Sequence, residues 1–313
     1  MTAHLSRREW LTHLPAAAAV TRALASPAPA ADQPAEPFIY CLNTSTISRQ
    51  KKSLVEEIEI AARAGYGAIE PWSRELDAHV SQGGKLKDVA KRTRDAGMVV
   101  ADVIAFFEWI VDDDERRKKG LEEAKRVMDL AQQVGSVRVA APPVGATDQA
   151  GLDLRKAAER YRALLEIGDK IGVVPQVELW GFSKTLGRLG EAALVAIESG
   201  HPKACVLPDV FHLYKGGSGH GGLKLLSSAA LPILHMNDYP ADPPRDKIKD
   251  EHRIYPGDGV APLKAMLRDL RAIEFHGYLS LEVFNRGYWK EDALVVARTG
   301  LEKMRALGRA VQE

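Results

Sequence analysis

The chain has 313 residues, of which 45% are hydrophobic, and its 43 basic and 42 acidic side chains leave a net charge of +1. This balance is typical of a soluble globular protein with one large domain or two small ones. It offers no excess of charge for a nucleic acid or an anionic membrane surface, so we expect neither as a partner.

The N-terminal segment has the order of an export signal. The stretch SRREWL (6–11) places paired arginines before an aromatic residue and a leucine, and a mildly apolar, alanine-rich run follows. The run is too short and too weakly apolar for a stable membrane anchor, and the whole resembles a twin-arginine signal. We predict a signal peptide over residues 1–31, cleaved near Ala30 or Ala31, and a periplasmic or otherwise exported protein. The alternative is a disordered basic tail.

From residue 38 onward, short apolar runs alternate with longer amphipathic ones. The apolar runs predict eight strands, at 38–42, 68–71, 99–105, 137–141, 174–179, 204–207, 233–236 and 278–283. Glycine follows the last apolar position of several amphipathic runs, which is the expected end of a helix. The clearest predicted helices are 53–64, 121–134, 157–171, 189–199 and 292–311.

Repeated strand–helix units over 38–313 predict a single α/β domain with the architecture of a closed (β/α)8 TIM barrel. The competing architecture is a doubly wound open sheet. That fold usually carries a glycine-rich phosphate loop after its first strand, and CLNTSTIS (41–48) has no glycine. Cys41 and Cys205 fall in separate predicted strands, so we expect free buried thiols rather than a disulfide.

Polar residues end or occupy four consecutive predicted strands, at the barrel end where such folds carry their chemistry. They are Glu178, Asp209, His235 and Glu282. Three carboxylates close together would raise one another's pKa, and a divalent cation removes that penalty. Oxygen ligands with one imidazole suit Mn²⁺, which we favour, with Mg²⁺, Co²⁺ or Zn²⁺ as alternatives. Each residue taken alone could equally be a capping or salt-bridging group.

These strand ends, with the Asp-x-x-His at 209–212, resemble the sugar isomerase/epimerase superfamily of xylose isomerase-like barrels. IEPW (69–72) and HRIYPGDG (252–259) are similar to that family's strand-two end and strand-seven loop. The family includes ketohexose 3-epimerases, hydroxypyruvate isomerase, inosose isomerases and dehydratases, and endonuclease IV-type nucleases. The resemblance covers about 38–313 and is not specific to one substrate.

The resemblance implies roles for six residues. The four strand-end residues would bind one metal ion, and Glu178 and Glu282 would also be the acid–base pair. His212 is similar to a residue that contacts a substrate oxygen, and Arg253 to an arginine that holds a substrate hydroxyl or enolate. Nuclease members need extra histidines, and Arg253 stands where one of them is expected. We therefore exclude DNA as a substrate.

A keto-sugar that chelates the cation would be stabilised as an enediolate. Two glutamates on different sides of one carbon could remove a proton and return it to the opposite face, which is epimerisation. Return of the proton to the neighbouring carbon is isomerisation. Loss of a leaving group β to the carbonyl would instead make the protein a lyase or dehydratase. A third hypothesis is a sugar-binding barrel without catalysis.

Further residues near the strand ends are candidates for substrate contact. Lys184 stands where ketohexose epimerases tend to carry a second glutamate, and a cation there suits a carboxylate or another electron-rich group. Sugars stack their C–H faces on aromatic rings, and Trp180 is the best candidate among Trp72, Phe106, Phe107, Trp109 and Trp180. Glu70 and Asn43, at the ends of strands two and one, are weaker candidates.

The predicted export and the lack of a glycine-rich phosphate cradle favour a non-phosphorylated substrate. We expect a free or oxidised sugar, a keto-glycoside or an inositol-type polyol. The oligomeric state stays open, with a homo-oligomer as one option.

Overall fold

The computed structural model describes residues 36–312, so the predicted signal peptide lies outside the described residues and stays a prediction. Within them, eight parallel strands follow the predicted order along the chain. They are β1 (Ile39–Asn43), β2 (Ala68–Glu70), β3 (Val99–Val100), β4 (Arg138–Ala141), β5 (Val174–Glu178), β6 (Val206–Leu207), β7 (Ile233–Met236) and β8 (Tyr278–Leu281).

Backbone hydrogen bonds close these strands into a barrel. The pairing runs β3-β2-β1-β8-β7 in one group and β4-β5-β6 in the other. Val103 joins the groups on one side, because its N–H donates to the Arg138 carbonyl (3.3 Å) and its carbonyl accepts from Ala140 (3.0 Å). His235 N–H donates to the Pro208 carbonyl (3.0 Å) on the other side. The prediction of a (β/α)8 barrel is confirmed, and the open sheet is excluded.

The described residues form nine α-helices, of which eight lie between strands and the ninth follows β8. They are α1 (Leu54–Ala64), α2 (Ser73–Ser81), α3 (Leu86–Asp95), α4 (Asp114–Val134), α5 (Leu154–Ile171), α6 (Leu189–Glu198), α7 (Val210–Gly216), α8 (Leu263–Ala272) and α9 (Ala293–Arg309). Helix α1 shows why the helices could be predicted from the sequence. Ser53 and Glu56 form a capping box at its start, and Gly65, in the left-handed region at φ 100°, ends it.

Six of the eight strands are shorter than predicted, and β3 is shortened the most. β3 stops at Val100 because the chain then turns from one sheet group to the other: Ala101 N–H still bonds to β2, whereas Val103 bonds to β4. β6 begins two residues later than predicted, at Val206, and ends at Leu207 as predicted, where Pro208 has no N–H to donate to a neighbouring strand. β3 is followed by an irregular stretch at the carboxyl end of the barrel, whereas α7 begins three residues after β6.

Two further findings concern the cysteines and membrane-spanning helices. Cys41 and Cys205 are both buried and free, as predicted. Within residues 36–312, no helix combines the length and the apolar character needed to cross a bilayer.

Candidate active site

Three side chains from consecutive strands meet at the carboxyl end of the barrel. Asp209 follows β6, His235 lies in β7 and Glu282 follows β8, and one donor atom of each lies within 4.8 Å of the others. His235 Nδ1 lies 3.2 Å from Glu282 Oε2 and 4.0 Å from Asp209 Oδ2, yet it has no hydrogen bond of good geometry. A buried imidazole nitrogen facing two carboxylates is a donor set that fits a divalent cation.

Glu178, the fourth predicted ligand, lies near this cluster but outside it. It ends β5, lines the same cavity as Glu282, and accepts a hydrogen bond from Trp180 Nε1 (3.1 Å). Burial raises the pKa of Glu178 to about 8, with His235 opposing the shift and Glu282 adding to it. The structure therefore groups three of the four predicted ligands, and ligation by Glu178 stays a prediction.

The raised pKa predicts how the metal-free protein responds to pH. A free glutamate titrates near 4.5, whereas folded Glu178 titrates at about 8. Between these values the unfolded chain has lost a proton that the folded protein keeps, so stability present below pH 4.5 is lost as the pH rises to 8. In chelator, we expect Glu178→Gln to exceed the wild type by roughly 3 to 4 kcal/mol in free energy of unfolding at pH 8 and to come within about 1 kcal/mol of it near pH 5, measured by urea unfolding. Equal stability at both pH values would contradict this.

Glu70 contacts Nε2 of the His235 ring, the nitrogen that does not face Asp209 and Glu282. Glu70 Oε1 lies 3.0 Å from His235 Nε2, and Oε2 accepts from Asn43 Nδ2 (2.7 Å) and Ser280 Oγ (2.6 Å). Glu70 is fully buried and does not line the cavity, so its predicted role in substrate contact is wrong. A neutral His235 that donates its Nε2 proton to Glu70 presents its Nδ1 lone pair to Asp209 and Glu282.

Replacing Glu70 by Gln should weaken metal binding by roughly 10–100-fold. Glutamine replaces one carboxylate oxygen of Glu70 by an N–H donor. This donor would face either the donors of Asn43 and Ser280 or the Nε2 atom of His235, so at least one of these hydrogen bonds must be lost. Titration with a metal indicator measures the affinity, and Glu302→Gln, an exposed residue of α9, is the matched control. An unchanged affinity would rule out the proposed positioning of His235.

The contacts of Asn43 also indicate a different role from the predicted one. It is fully buried at the end of β1, and its Nδ2 donates to Glu70 and to Glu282 Oε1 (3.2 Å). Its Oδ1 accepts from Trp72 Nε1 (3.0 Å). Asn43 therefore links two buried carboxylates to the cavity wall, and the prediction of substrate contact is corrected to one of positioning.

Arg253 crosses the site from the strand-seven loop. Its Nη1 donates to Asp209 Oδ2 (2.8 Å) and Glu282 Oε2 (2.9 Å), and its Nη2 donates to Asp250 Oδ1 (2.7 Å). Nη2 also lies 3.1 Å from His212 Nε2, which must accept because a guanidinium only donates. Burial lowers the pKa of His212 to about 4, which keeps its ring neutral at pH 7. Arg253 and His212 line the cavity.

Several residues that complete the site were missed from the sequence. Asn237 Nδ2 donates to Asp209 Oδ2 (2.8 Å), and Ser280 bonds to Glu70. Each is two residues from a predicted ligand, and positions two apart on a strand share a face, so this spacing was an available signal. Asp238 accepts backbone hydrogen bonds from Gly257, Gly259 and Ala261 and so shapes the strand-seven loop.

The cavity above these residues, which we call the inner cavity, has a volume of about 400 Å³ and largely aromatic walls. Trp72 and Trp180 line it, where the sequence analysis placed them. So do residues that the sequence analysis did not single out, among them Arg49, Phe182, Phe284, Arg286 and Trp289.

Three expected wall residues do not reach the inner cavity. Phe107 and Trp109 are buried in the core, where Trp109 Nε1 donates to the Pro142 carbonyl (2.8 Å). Lys184 is exposed, and its Nζ lies 4.0 Å from Asp148 Oδ1. The loop turns away because Lys184 N–H donates to the Thr147 carbonyl (2.8 Å). Lys184 does not line the inner cavity, and its contact with a substrate stays a prediction.

A family model agrees with the barrel fold. The model of the xylose isomerase-like TIM barrel matches residues 58–307. The chain belongs to this family. Curated relatives include inosose isomerase of Bacillus velezensis, which is 26% identical over 277 residues, 85% of this chain and 96% of that protein. Another is 3-dehydroshikimate dehydratase of Pseudomonas aeruginosa, 27% identical over 270 residues, which are 83% of this chain and 41% of that protein.

Solved structures of xylose isomerase-like barrels superpose on the chain. A protein named IolI, with a bound zinc atom, has a TM-score of 0.80 at 21% identity, covering 88% of this chain and 99% of that one. The 3-keto-D-glucoside 4-epimerase of Escherichia coli has a TM-score of 0.70 at 18% identity, covering 86% and 99%. At these identities the likeness shows the fold. The isomerase, the dehydratase and the epimerase named here are enzymes, and their reactions differ.

Proposed function

We propose that this protein is a metal-dependent isomerase or epimerase that acts on a non-phosphorylated keto- or aldo-sugar or polyol. The observation that carries the proposal is the cluster of Asp209, His235 and Glu282 at the base of an aromatic cavity that Glu178 also lines. The similarity to inosose isomerase supports the reaction class, and the zinc atom in the IolI structure supports a divalent metal.

Asp209, His235 and Glu282 would hold the ion, and Glu178 is the proposed fourth ligand. When bound, a divalent cation supplies Lewis acidity toward a substrate carbonyl. The protein's own contribution is to keep His235 oriented through Glu70 and to hold Asp209 and Glu282 through Arg253.

Glu178 and Glu282 are the proposed acid–base pair. Glu178 ends β5 and Glu282 follows β8, three strands further along the chain, and both line the inner cavity. One carboxylate would take the proton from the carbon beside the carbonyl, and that bond's electrons would form the carbon–carbon double bond of an enediolate. The other would return a proton to the opposite face, or the same proton would go to the neighbouring carbon.

The second candidate is a dehydratase, and the similarity to 3-dehydroshikimate dehydratase favours it. The first step would be the same proton removal. The electron pair would then expel a hydroxyl β to the carbonyl, and a carboxylic acid would protonate the leaving oxygen to give water. The residues of the inner cavity are compatible with either outcome.

Incubation with inososes and keto-sugars in deuterium oxide, followed by mass spectrometry and NMR, separates the candidates. An isomerase or epimerase gives a product of unchanged composition that has gained deuterium at a carbon next to the carbonyl. A dehydratase gives a product lighter by one water. Neither change in any substrate, with metal present and binding demonstrated, would indicate a sugar-binding barrel and overturn the proposal.

A further inference from the structure

A second cavity adjoins the inner cavity and shares two of its wall residues. We call it the outer basin; it has a volume of about 350 Å³ and is lined by Phe182, Phe211, Lys215, Ile248, Lys249 and Asp250. Phe182 and Asp250 line both spaces. Each volume is within the range of small-molecule sites, so the two together offer room for a ligand with two parts.

Phe182 forms the wall between these spaces. Its ring stacks on Trp180 at 5.4 Å and meets His212 edge-on at 5.8 Å, yet the residue is 50% exposed. Since Trp180 and His212 both line the inner cavity, Phe182 continues its aromatic wall outward into the outer basin. A ligand that extends past Phe182 would cover apolar surface that now faces water.

The walls of the outer basin favour an apolar occupant over a second sugar ring. Lys215 Nζ already donates to the carbonyls of Arg245 (3.0 Å) and Asp246 (2.9 Å). Asp250 already accepts from Arg253. A ring of hydroxyl groups would give up its hydrogen bonds to water and find Lys215 and the Oδ1 atom of Asp250 already engaged. An apolar ring loses none and would lie against Phe182, Phe211 and Ile248. The exposed Lys249 is the remaining charged group of the basin.

We infer that the substrate is a keto-glycoside with an apolar, aryl aglycone. The sugar ring lies in the inner cavity near Glu178 and Glu282, and the aglycone passes Phe182 into the outer basin. This inference rests on the proposed function, because it names the substrate class of the same site. Phe182 is then a specificity-determining residue that does not contact the reacting carbons.

Binding of phenyl and methyl glucosides, which carry no ketone and do not react, tests the outer basin without turnover. By isothermal titration calorimetry on the metal-loaded protein, with each anomer, we expect the phenyl glucoside to bind about tenfold more tightly. Phe182→Ala should remove most of this preference, because it should lower the affinity for the phenyl glucoside by a larger factor than the affinity for the methyl glucoside. Ile197→Ala, an exposed apolar truncation on α6, is the matched control.

Equal affinities in the wild type, or a preference that Phe182→Ala leaves intact, would overturn the inference. Phe182→Leu provides a second variant that retains an apolar side chain, and we expect it to keep an intermediate preference. Turnover of the corresponding keto-glycosides separates the two proposals. If both are turned over with equal kcat/KM, the outer basin has no role and the proposed function stands. If neither reacts while the binding preference persists, the proposed function fails and the subsite stands.

Discussion

Glu282→Gln should lower kcat by roughly 10³-fold or more while the barrel stays folded. The carboxylate of Glu282 is proposed to transfer a proton and to bind the cation, and an amide oxygen does neither well. Glutamine has the same size and keeps an acceptor for Arg253 Nη1, which now bonds to Glu282 Oε2 at 2.9 Å. The fold should therefore survive the change, although one charge of a buried cluster is lost.

Initial rates, circular dichroism and thermal unfolding measure the two parts of this prediction. The exposed Glu302→Gln variant removes a carboxylate from the surface of α9 and should keep full activity. Near-normal turnover by a folded Glu282→Gln variant would contradict the assignment of Glu282 to the acid–base pair. A large loss of secondary structure would show instead that Glu282 is needed mainly for folding.

Asp209→Asn should lower the metal affinity by at least about 100-fold, the upper end of the effect of residues that only support a ligand. Asp209 Oδ1 accepts from His212 N–H (2.7 Å) and so caps α7, and its Oδ2 accepts from Asn237 and Arg253 (2.8 Å each). Asparagine keeps the cap, but its neutral amide is a much weaker ligand than a carboxylate.

Metal binding is measured through stability as well as through activity. An ion at 100 times its Kd stabilises the native state by about 2.7 kcal/mol, which raises Tm by about 5 °C in a chain of this size. We expect this rise in the chelated wild type after a divalent metal is added, with return of activity, and no rise in Asp209→Asn. Asp148→Asn, at a highly exposed carboxylate, should behave as the wild type. Full activity in chelator would contradict a metal-dependent mechanism.

The fold was predictable because its signals are local. Alternating apolar runs mark strands, and residues such as Ser53 and Gly65 mark the start and end of a helix within a few positions. The clustering of Asp209, His235 and Glu282 followed as soon as the barrel was assumed, because consecutive strands place their carboxyl ends side by side.

The depth of a polar side chain in the site was not predictable in this way. Glu70 and Glu282 both stand at strand ends, yet Glu282 faces the cavity and Glu70 is enclosed. The groups that enclose Glu70 come from Asn43, His235 and Ser280, which are 27, 165 and 210 residues away along the chain. Lys184 shows the same limit, since a backbone bond to the distant Thr147 sets the direction of its loop.

The barrel wall has few backbone contacts where β6 meets β7. Among the described residues, these two strands are joined by one bridged pair, Asp209 and His235, whereas β7 and β8 pair along four residues. The same two residues are candidate ligands, so an ion bound by both would strengthen the connection between β6 and β7. Loss of the ion would then loosen this wall before the rest of the barrel, and amide protons of β7 would exchange with solvent earlier than those of β1.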